Sequence, residues 1–190
     1  MDDNQRRERR YWMVAFAVLG SVYVSAGFVR PVANFLRDQG LLRVTVGGLF
    51  AATGLALVLW LWRRGVRPRR HEVIVYALLA LVYGFIVWRM HLPEEALHYL
   101  EYGLFGALAF EALGWRFRRT RPATPRRNRL WLAFAGAVGL TLIGGWGEEI
   151  LQHFLPERYY DLRDVVINAT AGFLGAAAGL ARELLAERSS

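Results

Sequence analysis

The sequence predicts an all-α protein: a multi-pass transmembrane bundle of about six helices, forming one membrane domain over residues 1–190 with both termini in the cytoplasm. Three observations predict it. First, the uncharged runs 11–29, 44–62, 73–88, 130–147 and 165–181 have the length and apolarity of membrane-spanning helices, and a sixth run, 97–115, is broken only by Glu101 and Glu111. Second, Pro31, Pro68, Pro93, Pro122, Pro125 and Pro156 all fall between these runs, so each of the five connections holds a helix breaker. Third, all 24 basic residues are arginine. Eighteen of them fall in the N-terminal tail, the second and fourth connections and the C-terminal tail, against six in the other connections, and the positive-inside rule places the richer set in the cytoplasm.

Composition supports the same class. The 190 residues are 55% hydrophobic, mean hydropathy is +0.22, and the charges bunch between apolar runs. This pattern excludes a soluble enzyme and a disordered chain. With no cysteine there is no disulfide framework, thiolate nucleophile or zinc–thiolate site. The net charge of +8 is not a nucleic-acid signal, because the arginine clusters flank the spans. Such placement implies topology and anionic-lipid contact, with no nucleic-acid partner.

Taken in order, the first span opens on Arg6, Arg7, Arg9 and Arg10 and also has the outline of a signal sequence, with Val24-Ser25-Ala26 as a cleavage site. Its apolar run exceeds a signal core, so an uncleaved helix is expected. The second and third spans end on Trp60, Trp62 and Trp88, and Trp12, Trp115 and Trp131 also lie near span ends, as in an aromatic belt. In the fourth span, His98, Glu101, Tyr102 and Phe105 share one helix face. The fifth ends in Glu148-Glu149-Ile150-Leu151-Gln152-His153, where Glu148 shares a face with Gln152, and Glu149 with His153. Two adjacent carboxylates are unusual there, since one must face protein or lipid. Before the sixth span, Asp161 and Asp164 suit the N-cap or first turn. Asn168 lies one turn beyond Asp164, deep enough to bond across helices. Gly172, Gly175 and Gly179 give the last span a small-residue face for packing within the bundle rather than for a homodimer.

Three helix ends thus meet on the extracytoplasmic side of a bacterial inner membrane, while Glu111 near Arg116 and Arg118 is an interfacial ion pair on the other side. These segments resemble the VanZ-like family of integral membrane proteins. The resemblance covers residues 93–180: the His98–Glu101–Tyr102 start, the Glu148-Glu149-x-x-Gln152 end, the turn at Arg158, and Asp161 to Asn168 followed by glycines. It implies His98, Glu101, Tyr102, Glu149, Gln152, Arg158, Asp161, Asp164 and Asn168 as ligand-binding positions. Glu148 replaces the family's aspartate, and Glu157 its turn glycine. The family is associated with low-level resistance to the glycopeptide teicoplanin and lacks an agreed biochemical activity.

The expected function is binding of a lipid head group, a glycan or a glycopeptide-like ligand, such as a lipid-linked cell-wall precursor. Arg158 would meet an anionic group in a bidentate pair. No cofactor is expected; a divalent cation would serve only to bridge a phosphate to the excess carboxylates. The alternative is a membrane-embedded metal-dependent hydrolase using His98, Glu101, Glu149 and His153. A third reading has these residues only capping and tying helices.

Overall fold

The computed structural model describes residues 2–27, 29–63, 70–89, 93–155 and 160–187. These residues form seven helices and no strand: α1 (Asp3–Ser25), α2 (Val29–Asp38), α3 (Leu42–Arg63), α4 (Arg70–Arg89), α5 (Pro93–Thr120), α6 (Arg126–His153) and α7 (Leu162–Glu187). Five of the six apolar runs lie within α3 to α7, and the first, 11–29, begins in α1 and continues past the end of that helix at Ser25. Helix α2 is additional, in what the sequence reading takes for a loop. Its proline, Pro31, is the third residue of the helix, where the absent N–H would lack an intrahelical acceptor anyway. The helix ends at Gly40, in the left-handed region with φ 70°. There the Gly40 N–H donates to the Arg37 carbonyl (2.9 Å) and the Leu41 N–H to that of Leu36 (2.8 Å). This double closure satisfies carbonyls at a helix end, and glycine enters it without strain.

Among the described residues, two helices are long and apolar enough to cross a membrane: α6, and Leu162–Leu185 of α7. With 28 residues, α6 is about 42 Å long, against a hydrocarbon layer of about 30 Å. Shorter apolar stretches occupy Leu42–Ala52 in α3 and Tyr76–Phe85 in α4. Helix α5 equals α6 in length but carries Glu101 and Glu111 within its apolar part.

The chain divides into two compact units, Phe28–Leu97 and the pair Met1–Gly27 with His98–Ser190. In the first, Ala33, Leu42, Val46 and Ala96 are buried beside Leu36, Phe50 and Leu97. In the second, α1, α5, α6 and α7 alternate in direction. The start of α1 meets the end of α5 through Glu8 and Arg119, and the start of α6 meets the end of α7 through Arg126 and Glu183. The core of this unit alternates large Phe110, Leu113, Leu130 and Leu180 with small Ala109, Ala133, Ala137 and Ala176. Small residues let helix backbones approach closely, the chief source of association where no water is expelled. Conversely, Phe16, Ile143, Trp146 and Val166 point outward and are more than half exposed. A largely apolar exterior is what a covering of lipid or protein requires.

One end of this four-helix unit is an ion-pair belt. Glu8 pairs with Arg119 (2.8 Å) and Arg116 (3.9 Å). Glu183 pairs with Arg118 (3.0 Å), Arg126 (2.9 Å) and Arg182 (3.2 Å). Glu111 pairs with Arg182 at 2.6 Å. Glu111 thus pairs with an arginine of α7, which runs back alongside α5, while the expected Arg118 also lies within electrostatic range of it. The guanidinium groups of Arg7 (5.1 Å) and Arg118 (4.6 Å) both lie over the Trp115 ring. Glu183→Ala should destabilise the unit by about 1 kcal/mol after solvent screening. Added salt should narrow the gap to wild type, because the uncovered guanidinium groups then repel each other less. Thermal unfolding at low and high ionic strength measures both effects, and a gap that does not respond to salt would exclude a charge network.

Candidate functional site: a buried carboxylate mouth

The site begins with one stripe of α6. Ala137, Thr141, Gly145, Glu148 and Gln152 recur at helical spacing, and all five are buried. The stripe is small at first and polar at its end. Thr141 donates its hydroxyl hydrogen back to the Ala137 carbonyl (2.9 Å), so it makes no demand on its neighbours. The small residues admit α7. A Cβ on Gly172 would collide with the Thr141 side chain, and one on Gly145 would lie 2.9 Å from the Asn168 Cβ. Helix α5 closes the third side in the same way: a Cβ on Gly175 would collide with the Gly103 carbonyl, and one on Gly106 with that of Gly172. Gly179 faces the Phe110 ring at 2.5 Å by the same measure. Gly172, Gly175 and Gly179 therefore pack within this unit.

That close approach lets short polar side chains bridge three helices. Glu148, only 1% exposed, is the hub. Its Oε2 accepts hydrogen bonds from the Tyr102 hydroxyl of α5 (2.8 Å) and from Asn168 Nδ2 of α7 (3.3 Å). Its Oε1 accepts from Gln152 Nε2, one turn on (2.8 Å). His98 Nδ1 lies 3.8 Å from Oε2. Tyr23 of α1 donates to the Gly144 carbonyl (2.8 Å), holding the fourth helix against the same stretch of α6.

Glu149 is fully buried as well. Its Oε2 accepts the Asp161 backbone N–H (2.9 Å), while Asp161 Oδ1 accepts the Arg163 N–H (2.8 Å). Asp161 is thus the N-cap of α7, and Glu149 fixes that cap to the end of α6. Both adjacent carboxylates face protein, which settles the question their sequence raises. Asp164 occupies the first turn of α7, and it and Glu101 are half-buried.

Three buried polar atoms of this mouth have no hydrogen-bond partner among the described residues: Glu149 Oε1, Asn168 Oδ1 and His98 Nδ1. Buried polar groups are nearly always paired, so unmatched ones at one locus call for an explanation. Five carboxylates, Glu101, Glu148, Glu149, Asp161 and Asp164, share this end with one described guanidinium, that of exposed Arg163. Arg158 lies outside the described residues.

His98, Tyr102, Glu149, Gln152, Asp161 and Asn168 are therefore brought together, with Glu101 and Asp164 on the same helix ends. His153 is not part of the group. It is exposed, and its ring meets Phe154 edge-on at 5.5 Å. Among the described residues no three His, Asp or Glu side chains are placed to hold a metal ion. His98, Glu101, Glu149 and His153 do not come together in this geometry, because His153 turns outward at the last turn of α6. Two residues carry more than their sequence suggests. Glu148 is the hub, foreshadowed only by its one-turn spacing to Gln152, and Tyr23 had no local signal. No protein-family model, curated protein or solved structure matches this chain.

Proposed function

We propose that the chain is a six-span protein of the bacterial cytoplasmic membrane, VanZ-like in kind, with both termini cytoplasmic and the carboxylate mouth facing outward. There it binds a lipid head group, a glycan or a glycopeptide-like ligand. The observation that carries the binding reading is the pair of unmatched acceptors on two fully buried side chains. Capping and tying account for Glu148 and for Glu149 Oε2, but they leave Glu149 Oε1 and Asn168 Oδ1 without purpose. A buried acceptor left open costs about 1–3 kcal/mol, and a ligand that donates hydrogen bonds removes that cost. Six of the seven helices run for 20 residues or more, which supports the six-span reading. The arginine belt and the carboxylate mouth sit at opposite ends of α5, α6 and α7, the asymmetry that the positive-inside rule requires.

Because the chain has no cysteine, a single introduced thiol reports sidedness. In intact cells an impermeant thiol reagent should label His153→Cys, and should label Ala123→Cys only after permeabilisation. Purified protein in nanodiscs should then retain a lipid-linked cell-wall precursor or teicoplanin, with at least ~10-fold weaker retention in Glu149→Gln, the loss of about 1.4 kcal/mol. Reversed labelling overturns the orientation. Failure of the wild-type protein to retain either probe overturns the binding reading.

A further inference from the structure

The mouth has a definite chemical preference, and it is for a hydrogen-bond donor that carries positive charge. Two of the unmatched atoms can only accept: Glu149 Oε1 is a carboxylate oxygen and Asn168 Oδ1 an amide carbonyl oxygen, whereas His98 Nδ1 faces the Glu148 carboxylate at 3.8 Å. The Tyr102 hydroxyl and one N–H each of Gln152 Nε2 and Asn168 Nδ2 are taken up by Glu148. A phosphate or carboxylate arriving here would add negative charge among five carboxylates and one described guanidinium. A bare divalent cation would find no set of three carboxylate or imidazole ligands among the described residues. A neutral hydroxyl could donate once but would leave the excess negative charge uncompensated.

The residues that carry the unmatched atoms share one end of the unit. Asn168 and His98 both approach Glu148 Oε2, at 3.3 Å and 3.8 Å, and Glu149 is the next residue of the same helix. Both Glu149 and Asn168 are completely buried, whereas the His98 side chain is 20% exposed. The His98 ring is therefore where the locus meets the surface.

We propose that the mouth takes a primary ammonium group, its N–H donors directed at Glu149 Oε1 and Asn168 Oδ1. The proposal rests on the binding reading above and narrows it: the recognised part of the lipid head group or sugar is its amine. A primary ammonium supplies three donors and one positive charge, enough for both open acceptors and for the local negative excess. Removing the N–H groups while keeping the charge should abolish the match, because the acceptors are then left dry and unpaired.

The test uses the full chain in nanodiscs and compares retention of phosphatidylethanolamine, phosphatidylcholine and phosphatidylglycerol by native mass spectrometry. Soluble ethanolamine, glucosamine and glucose serve as competitors. Phosphatidylethanolamine should be retained at least ~10-fold over the other two lipids, about 1.4 kcal/mol, and Glu149→Gln should erase that preference at unchanged helical content. If ethanolamine or glucosamine competes and glucose does not, while the lipids bind alike, the amine is that of a soluble ligand rather than a lipid. If phosphatidylethanolamine and phosphatidylcholine are retained equally and no amine competes, the ammonium proposal is overturned. Retention of a lipid-linked precursor or teicoplanin in that same preparation would leave the broader binding reading standing. Loss of every interaction would remove both.

Discussion

Glu148→Ala should cost about 3–5 kcal/mol, the loss expected when one partner of a buried charged network is removed. The substitution deletes the common acceptor of three buried donors, the Tyr102 hydroxyl, Gln152 Nε2 and Asn168 Nδ2. None of these has water to turn to, since Tyr102 and Asn168 are completely buried and Gln152 is 2% exposed. Each donor stranded in this way costs about 1–3 kcal/mol, and the sum is a large part of the stability of a whole domain. The variant should accumulate poorly in the membrane and unfold at a markedly lower temperature. Tyr102→Phe, which removes one donor and keeps the ring, should cost only about 1 kcal/mol. Its neighbour behaves differently. Glu149→Gln loses one bond to the Asp161 N–H that an amide oxygen can replace, so it should fold and yet lose ligand retention. Two adjacent carboxylates are thereby separated by readout, one in thermal unfolding and the other in binding. A Glu148→Ala protein as stable as wild type would show that the cluster is not organised around that residue.

The helices of this chain are written in its charge pattern. Each uncharged run became part of a helix because a long apolar segment buries or shields its backbone best as one. The loop prolines Pro122 and Pro125 lie at or beyond helix ends, since the ring cannot supply an interior N–H. Pro31 misleads for the same reason applied one turn too far, because in the first turn of α2 its defect is harmless. The site was legible where its logic is local. One-turn spacing joins Glu148 to Gln152, and Asp161 caps the helix that follows it. It was illegible where its logic is tertiary. Tyr23 meets Gly144 across 121 positions and Arg119 meets Glu8 across 111, and no local spacing encodes such pairs. The arginine clusters announce an orientation but not their partners, so Glu183 and Arg182 entered only with the packing of α7 on α5 and α6. The glycines of the last helix were conspicuous in sequence, whereas Gly103 and Gly106, which receive them, lie in a helix whose polar residues draw the eye first.

Gly175→Leu should be the most damaging change outside the polar cluster. Even a single Cβ at this position would run into the Gly103 carbonyl oxygen, and the reciprocal contact sets Gly106 against the Gly172 carbonyl. Two backbones touch here with no side chain between them, so nothing can rotate aside. Gly175→Ala should cost about 1–3 kcal/mol as an overpacked contact, and leucine at least ~3 kcal/mol. Within lipid the loss falls directly on helix association, because no hydrophobic gain on leaving water offsets it. The effect should also travel. Tyr102 precedes Gly103 by one residue and Asn168 precedes Gly172 by one turn, so prising α7 from α5 separates the donors that meet at Glu148. Loss of ligand retention in Gly175→Ala should therefore accompany loss of stability. Gly139→Ala is the control, because a Cβ there meets nothing within 4 Å. It should be neutral, or stabilising by up to about 1 kcal/mol through better helix propensity. Thermal unfolding and protease resistance of the two alanine variants decide the matter. Equal stability would mean that α5 and α7 are not in backbone contact, and the geometry that assembles the carboxylate mouth would lose its support.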